Sequence, residues 1–299
     1  MKESKIEYEE LMSGIDESLD NYIGEVSPNF KATIEDIRQN NERVLSQLLK
    51  TYYLSSMLVD DFDFPSDEVY QGIKVLFSKA GFSTLGIYSC LSNGVITEAS
   101  SLLRTLFETK VNIHLLLQDD TLNRLSLYNN FKTITKHNHL QSYEKKMADG
   151  ELSEESFEAF FHDIDIQSLK DSYESIKDDY HPTYPANHWA WKIYKDERNQ
   201  PPNMRFICDK LGLSDDYRKI FGLHSSTIHS NPIIENMMTH DGNLSIVPFN
   251  SENILRLACI SLDISWKSIV SVISYFDENY GEGLSKYSDY VFVQGCVEF

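Results

Sequence analysis

Tyr217, Phe221, Ser225 and His229 recur at intervals of four, which on a helix sets two rings, a hydroxyl and an imidazole along one slowly drifting stripe. Ser225 and His229 could hydrogen-bond to each other there. As a nucleophile and its base they would need an orienting third group and an oxyanion hole, and no G-x-S-x-G elbow accompanies them. The competing reading is an interior hydrogen-bond network that satisfies both polar groups. A second row lies far upstream. Arg104 and Glu108 stand four apart in the most apolar part of the chain, with Asn112 one step further on. A charged pair in such a run must either face water or be paired where it is buried, so it reads as a structural ion pair or as part of a pocket.

Other polar and aromatic clusters carry weaker chemistry. Trp189 and Trp191, with Tyr184 and His188, could stack a base or line a cleft, or could anchor a loop onto the helices. His137-Asn-His139 offers two imidazoles, but on a helix they point about 200° apart, so one ion could not take both. They read as solvated side chains. No P-loop and no G-x-G-x-x-G is present, so a phosphate-cradling cofactor is not expected, and neither is a metal.

The elements that must position these residues read as helices almost throughout. Periodic stretches cover about Ser4 to Glu25 and Lys31 to Asp60, then a segment from Ser66-Asp-Glu to Ser92-Asn-Gly. The most apolar helix follows, Thr97 to Leu117, and then another from Thr121 to Met147. Two short helices are expected in the acidic stretch 148–180, with Ser153 as a cap. His181 to His188 is the clearest loop. Asn203 to Leu211 forms a short helix ended by Gly212, and Ser214-Asp-Asp then caps the helix that bears the stripe. A loop of about twenty residues, with Gly242 and Pro248, leads to a long helix from Ser251. The tail Tyr290 to Phe299 alternates weakly, as a docking strand would. There is no internal repeat and no βαβ rhythm. The expectation is an all-α bundle of about eight to ten helices, divided into N-terminal acidic helices (1–64), a main helical domain (65–280) and a tail (281–299).

Composition limits the function classes. With 46 acidic against 27 basic residues the net charge is −19, which disfavours diffuse binding to a phosphate backbone but leaves room for a local basic pocket. Lys192, Lys195, Arg198 and Arg205 could supply one near the stripe. The four cysteines are isolated, without a C-x-x-C pair, and the charged N-terminus lacks a signal-peptide pattern, so a cytoplasmic protein with reduced thiols is expected. The run Ile254 to Phe276 includes Arg256, Asp263 and Lys267 and reads as a core helix, not a membrane span.

Taken together, the Leu-Leu-Arg104-Thr-Leu-Phe-Glu108 helix, Trp191-Lys192 and Tyr217-x3-Phe221-x3-Ser225-x3-His229-Ser resemble the bacterial helical family labelled domain of unknown function 5677. The matched region would run from about 70 to 275. Phe221 departs from the tyrosine expected there, and His224 precedes Ser225. The resemblance implies an α-helical domain and no established activity.

A looser resemblance is to HEPN proteins, helical domains of many toxin and phage-defence ribonucleases. Arg218-x5-His224 fits their Arg-x4-6-His signature. That resemblance implies a homodimer with an HEPN-like core that cleaves RNA without metal or cofactor. Arg218 would stabilise the phosphate and His224 would move a proton at the ribose 2′-hydroxyl. Arg104, Glu108, Tyr217, Ser225 and His229 would support the pocket, and Trp191 and Lys192 would touch RNA. Six residues rotate a helix by about 240°, so one subunit alone would separate Arg218 from His224. The alternative is a non-catalytic helical module that binds a protein or a small ligand.

Overall fold

Leu103, Leu106, Phe107, Val111, Ile113, Leu115 and Leu116 are all completely buried, so the apolar run near the middle of the chain is a helix enclosed on several sides. In the computed structural model it spans Ile96–Leu116 (α4). The structure describes residues 17–21, 24, 28, 31–61, 70–182, 188–197, 200–222, 237–240, 243–246 and 251–280. Preceding α4 are α1 (residues 31–40), α2 (Glu42–Asp61) and α3 (Gln71–Leu91). After it come α5 (Thr121–Ala148), α6 (Glu154–Phe161), α7 (Ile166–Ile176), α8 (Trp191–Tyr194), α9 (Met204–Lys210) and α10 (Ser214–Tyr217). The last helix is α11 (Ser251–Tyr280). The protein is an all-α multi-helix bundle.

Four long helices, α2, α3, α4 and α11, pack on one another to form the centre. Small residues allow the close approaches. A Cβ added at Gly81 of α3 would lie 3.2 Å from the Ser55 Cβ of α2, so a larger residue there would push the two helices apart. The α3–α11 contact contains a buried hydroxyl pair, Thr84 Oγ1 to Ser265 Oγ at 2.7 Å. Because Thr84 already donates to the Ala80 carbonyl, Ser265 is the donor between them. Residues of α1 and α2, from Ile34 to Leu58, enter the same core. The single helix expected over 31–60 is interrupted at Asn41, whose side chain donates to the Ile37 carbonyl at 2.9 Å.

The outer layer follows its capping signals. Ser153 caps α6 by accepting from the Ser156 amide, Asp165 caps α7 through Ser168, and Asn203 caps α9 through Phe206. Helix α9 ends with Gly212 at φ +70°, where the Leu213 amide donates to the Cys208 carbonyl at 2.7 Å. This left-handed stop reverses the chain and delivers α10 against α4. Helix α5 packs on α6 and α7.

Three local expectations change. His137 and Asn138 are buried, not solvated, because α7 lays Tyr173 flat on the His137 ring at 3.6 Å; His139 is exposed. Part of the expected loop before α11 forms an antiparallel pair, β1 (Met237–His240) with β2 (Asn243–Ile246). The Asp241-Gly242 step between them is the hairpin signal that the loop reading passed over. Ser214 is the first residue of α10 and not its cap. The amphipathic stretch 4–25 lies largely outside the described residues, and the tail 290–299 lies wholly outside them. The segment Glu252–Phe276 is apolar and long enough to cross a membrane by composition, and half of it is buried against α2, α3 and α4.

Leu103 has no exposure while Val75 on α3 is 64% exposed. Leu103→Ala is expected to lower unfolding free energy by about 2–5 kcal/mol. Val75→Ala should change it by no more than about 0.5 kcal/mol. Urea denaturation of both variants measures the contrast.

Candidate functional site

The row anticipated on α4 exists and each member is held. Arg104 Nε donates to Glu108 Oε1 at 3.1 Å, with the two side chains 31% and 40% exposed. One turn on, Asn112 donates from Nδ2 to the Glu108 carbonyl at 2.9 Å. Its Oδ1 then accepts from Trp189 Nε1 at 3.0 Å, which fixes which way the amide points. Trp189 is buried edge-on to Tyr128, with ring centres 5.3 Å apart. Trp189 thus ties the segment before α8 to α4.

The second half of the site comes from the chain after α10. Residues 218–222 form a π-turn, a wider coil than the α-helix expected for the stripe. Tyr217 and Phe221 still stack, with centroids 4.6 Å apart. Phe221 meets Phe107 edge-on and lies beneath the Arg104 guanidinium, whose carbon is 4.3 Å from the ring centre. A guanidinium on an aromatic face with its Nε committed to a carboxylate is held in one orientation. Among the described residues its two Nη groups have no partner. They form a fork of donors suited to a carboxylate or phosphate.

The remaining candidate residues fall elsewhere. Arg218 is 75% exposed and pairs with Asp215 one turn away. Its proposed partner His224, and Ser225 and His229 of the stripe, lie outside the described residues. Trp191 packs edge-on against His181, with centroids 4.9 Å apart. Lys192 pairs with Asp179 at 2.6 Å, which turns both residues toward the end of α7 rather than toward Arg104. Among the described residues, no group of three or more His, Cys, Asp or Glu could hold a metal ion.

Two features were not anticipated. Trp189, and not Trp191, joins the Arg104 row; the two lie side by side in sequence, and spacing alone does not choose between them. The other is Lys110. It is 1% exposed inside the apolar helix and donates to Asp216 Oδ2 of α10 at 2.9 Å. Burial pushes the Asp216 carboxyl up, but the hydrogen bond and charge of Lys110, with Lys267 and Lys219, outweigh it and hold the group below the usual carboxylate range. A lysine flanked by Leu106, Phe107, Val111 and Ile113 was the legible signal, since such a side chain must find an anion.

Two side groups near these elements are chemically quiet at neutral pH. The Cys208 thiol is pushed up to about 12 by burial and by Asp209. His188 is held down at about 4 by burial, and its Nδ1 accepts from the Ala190 amide at 3.1 Å. The neutral ring therefore carries its proton on Nε2. Since an unfolded histidine titrates near about 6.5, the His188 contribution to stability is complete above that pH. It is lost as pH falls from there toward 4. In an NMR titration, His188 is expected to stay neutral through pH 5, and His188→Gln should flatten the stability change between pH 4 and 6.5.

The description "Family of unknown function (DUF5677)" belongs to the family model that matches residues 71–244, from the start of α3 into β2. The match contains the Arg104 row, Trp189, the Lys110–Asp216 pair and the π-turn. No curated protein and no solved structure matches the chain. With over half of its length covered, and with the Arg-x-x-x-Glu helix and Tyr217 inside that span, the chain belongs to the family of unknown function DUF5677.

Proposed function

We propose that this protein is a helical recognition module for a phosphorylated, hydroxyl-bearing ligand, the class that includes nucleotides and short single-stranded RNA. The observation that carries the reading is the Arg104 guanidinium, fixed by Phe221 and Glu108, whose Nη donors have no partner among the described residues. That fork is matched to two phosphate oxygens. Glu108 uses one oxygen on Arg104, and its Oε2 has no partner among the described residues. It can accept from a sugar hydroxyl beside the phosphate. With a net charge of −19, affinity rests on this one site and not on a basic surface.

A second reading adds cleavage to the same site. Arg218 belongs to the turn that supplies Phe221, and its exposed guanidinium is available to a substrate or to a second subunit. In this reading the protein is a metal-independent RNA endonuclease of HEPN type, acting as a homodimer in a toxin or phage-defence setting. His224 moves the proton at the 2′-hydroxyl and Arg218 stabilises the phosphate charge. The exposure of Arg218 supports this reading, and its pairing with Asp215 counts against it.

Fluorescence polarisation with labelled short RNA and with nucleotides tests the recognition. Arg104→Gln is expected to weaken binding by about 10- to 100-fold, as loss of a charge-assisted fork does, and Arg104→Lys should not restore it. Equal affinity in the parent and Arg104→Gln would refute the reading. Incubation of the same RNA with chelator separates the second reading. Cleavage lost in both Arg218→Ala and His224→Ala supports it; no cleavage, or cleavage that the variants retain, removes it.

A further inference from the structure

Beside the buried Lys110–Asp216 pair, an open cleft of about 460 Å³ lies between α4, the start of α10 and α11. That is the size range of small-molecule sites. Its wall mixes a polar end, formed by Lys110, His114, Asp216, Lys267, Ser271 and Asp215 (the last paired with Arg218), with an apolar end that includes Leu213, Trp266 and Val270. None of these groups belongs to the Arg104 row.

The polar end presents opposite charges side by side. Asp216 Oδ2 accepts from Lys110 and lies 3.8 Å from Lys267 Nζ. Its second oxygen has no partner among the described residues. Lys267 holds Asp263 at 2.6 Å, and an ammonium has three hydrogens, so a donor is left for a ligand. His114 adds an acceptor. Ser271 Oγ lies 2.7 Å from the Lys267 carbonyl and 3.0 Å from His114 Nδ1, and its single hydrogen goes to the nearer carbonyl. His114 Nδ1 is then the donor to Ser271, and the neutral ring keeps a bare lone pair on Nε2. Burial and the nearby Lys110 both disfavour its protonation.

A lone anion would meet Asp216, and a lone cation would meet Lys110 and Lys267. The complementary ligand carries both charges close together on an apolar body. We propose that this cleft binds a free α-amino acid with a bulky apolar side chain. Its ammonium is received by Asp216 and His114 Nε2, its carboxylate by Lys267, and its side chain lies against Trp266, Val270 and Leu213.

Isothermal titration calorimetry on the full chain tests this with L-phenylalanine, L-leucine and L-tryptophan. Controls are phenethylamine, 3-phenylpropionate and N-acetyl-phenylalanine, each lacking one charge. At least one amino acid is expected to bind, with its singly charged counterparts weaker by about tenfold or more. Lys267→Met retains the aliphatic stem at a half-exposed position. It should weaken the amino acid by about tenfold and leave phenethylamine unchanged, a split that a merely structural lysine would not produce. The proposal is overturned if no amino acid binds. It is equally overturned if a singly charged control matches the amino acid, or if Lys267→Met binds the amino acid as the parent does.

Discussion

Helix α4 is nearly surrounded, and in the middle of it stands one lysine that cannot reach water. Lys110 settles this by drawing Asp216 in from α10, and that bond fixes where the stretch 213–222 meets α4. Removing one partner of such a pair strands the other and costs about 3–5 kcal/mol, whereas an apolar pair of similar volume can be nearly neutral. A buried pair is therefore weak support for stability as such. What it supplies here is register. Asp216 precedes Tyr217 by one residue, Tyr217 stacks on Phe221, and Phe221 lies beneath Arg104. The left-handed turn at Gly212 brings the chain to α4, and the ion pair fixes where it stops.

This chain of contacts explains why the same helix can hold two polar sites with different characters. On one side of α4, Arg104, Glu108 and Asn112 are half-exposed and linked through Trp189 to the segment before α8. On another, Lys110 and His114 line an open cleft whose far wall is α11. Both sites take a wall from the short stretch 213–222. The change to π-geometry at 218–222 belongs to the same requirement, because the turn must pack Ile220 into the core while keeping Phe221 under the guanidinium. π-turns of this kind are often found at functional positions.

Much of this fold was legible in the sequence. The apolar run around Leu103 and Phe107, the cap residue Ser153, and the short helix from Asn203 with its stop at Gly212 each act locally, so they can be read without knowing the neighbours. The Arg104–Glu108 row was legible for the same reason. Contacts between distant segments were not. Whether Trp189 or Trp191 meets Asn112 depends on how the preceding loop enters α8, and the burial of His137 depends on where α7 places Tyr173. Lys110 was visible as a charge in an apolar run, but nothing local identifies Asp216 as its partner over a hundred positions away. The change to π-geometry after Tyr217 was not legible, since the spacing of four from Tyr217 to Phe221 fits both an α-turn and the wider turn that forms. Ser225 and His229, which gave the stripe its chemical interest, lie outside the described residues.

The central claim is that the Lys110–Asp216 bond holds Phe221 beneath Arg104 and so orients the guanidinium. Nitrogen-15 NMR of the arginine side chains tests it most directly, comparing the protein with Asp216→Asn and using core methyl signals of α3 and α11 to confirm that the variant is folded. The account predicts a separate, slowly exchanging, ring-shifted Nε–Hε signal for Arg104 in the protein, merging with the solvent-exposed arginines in the variant. An Arg104 signal unchanged by Asp216→Asn, or one indistinguishable from exposed arginines in the protein itself, would contradict it.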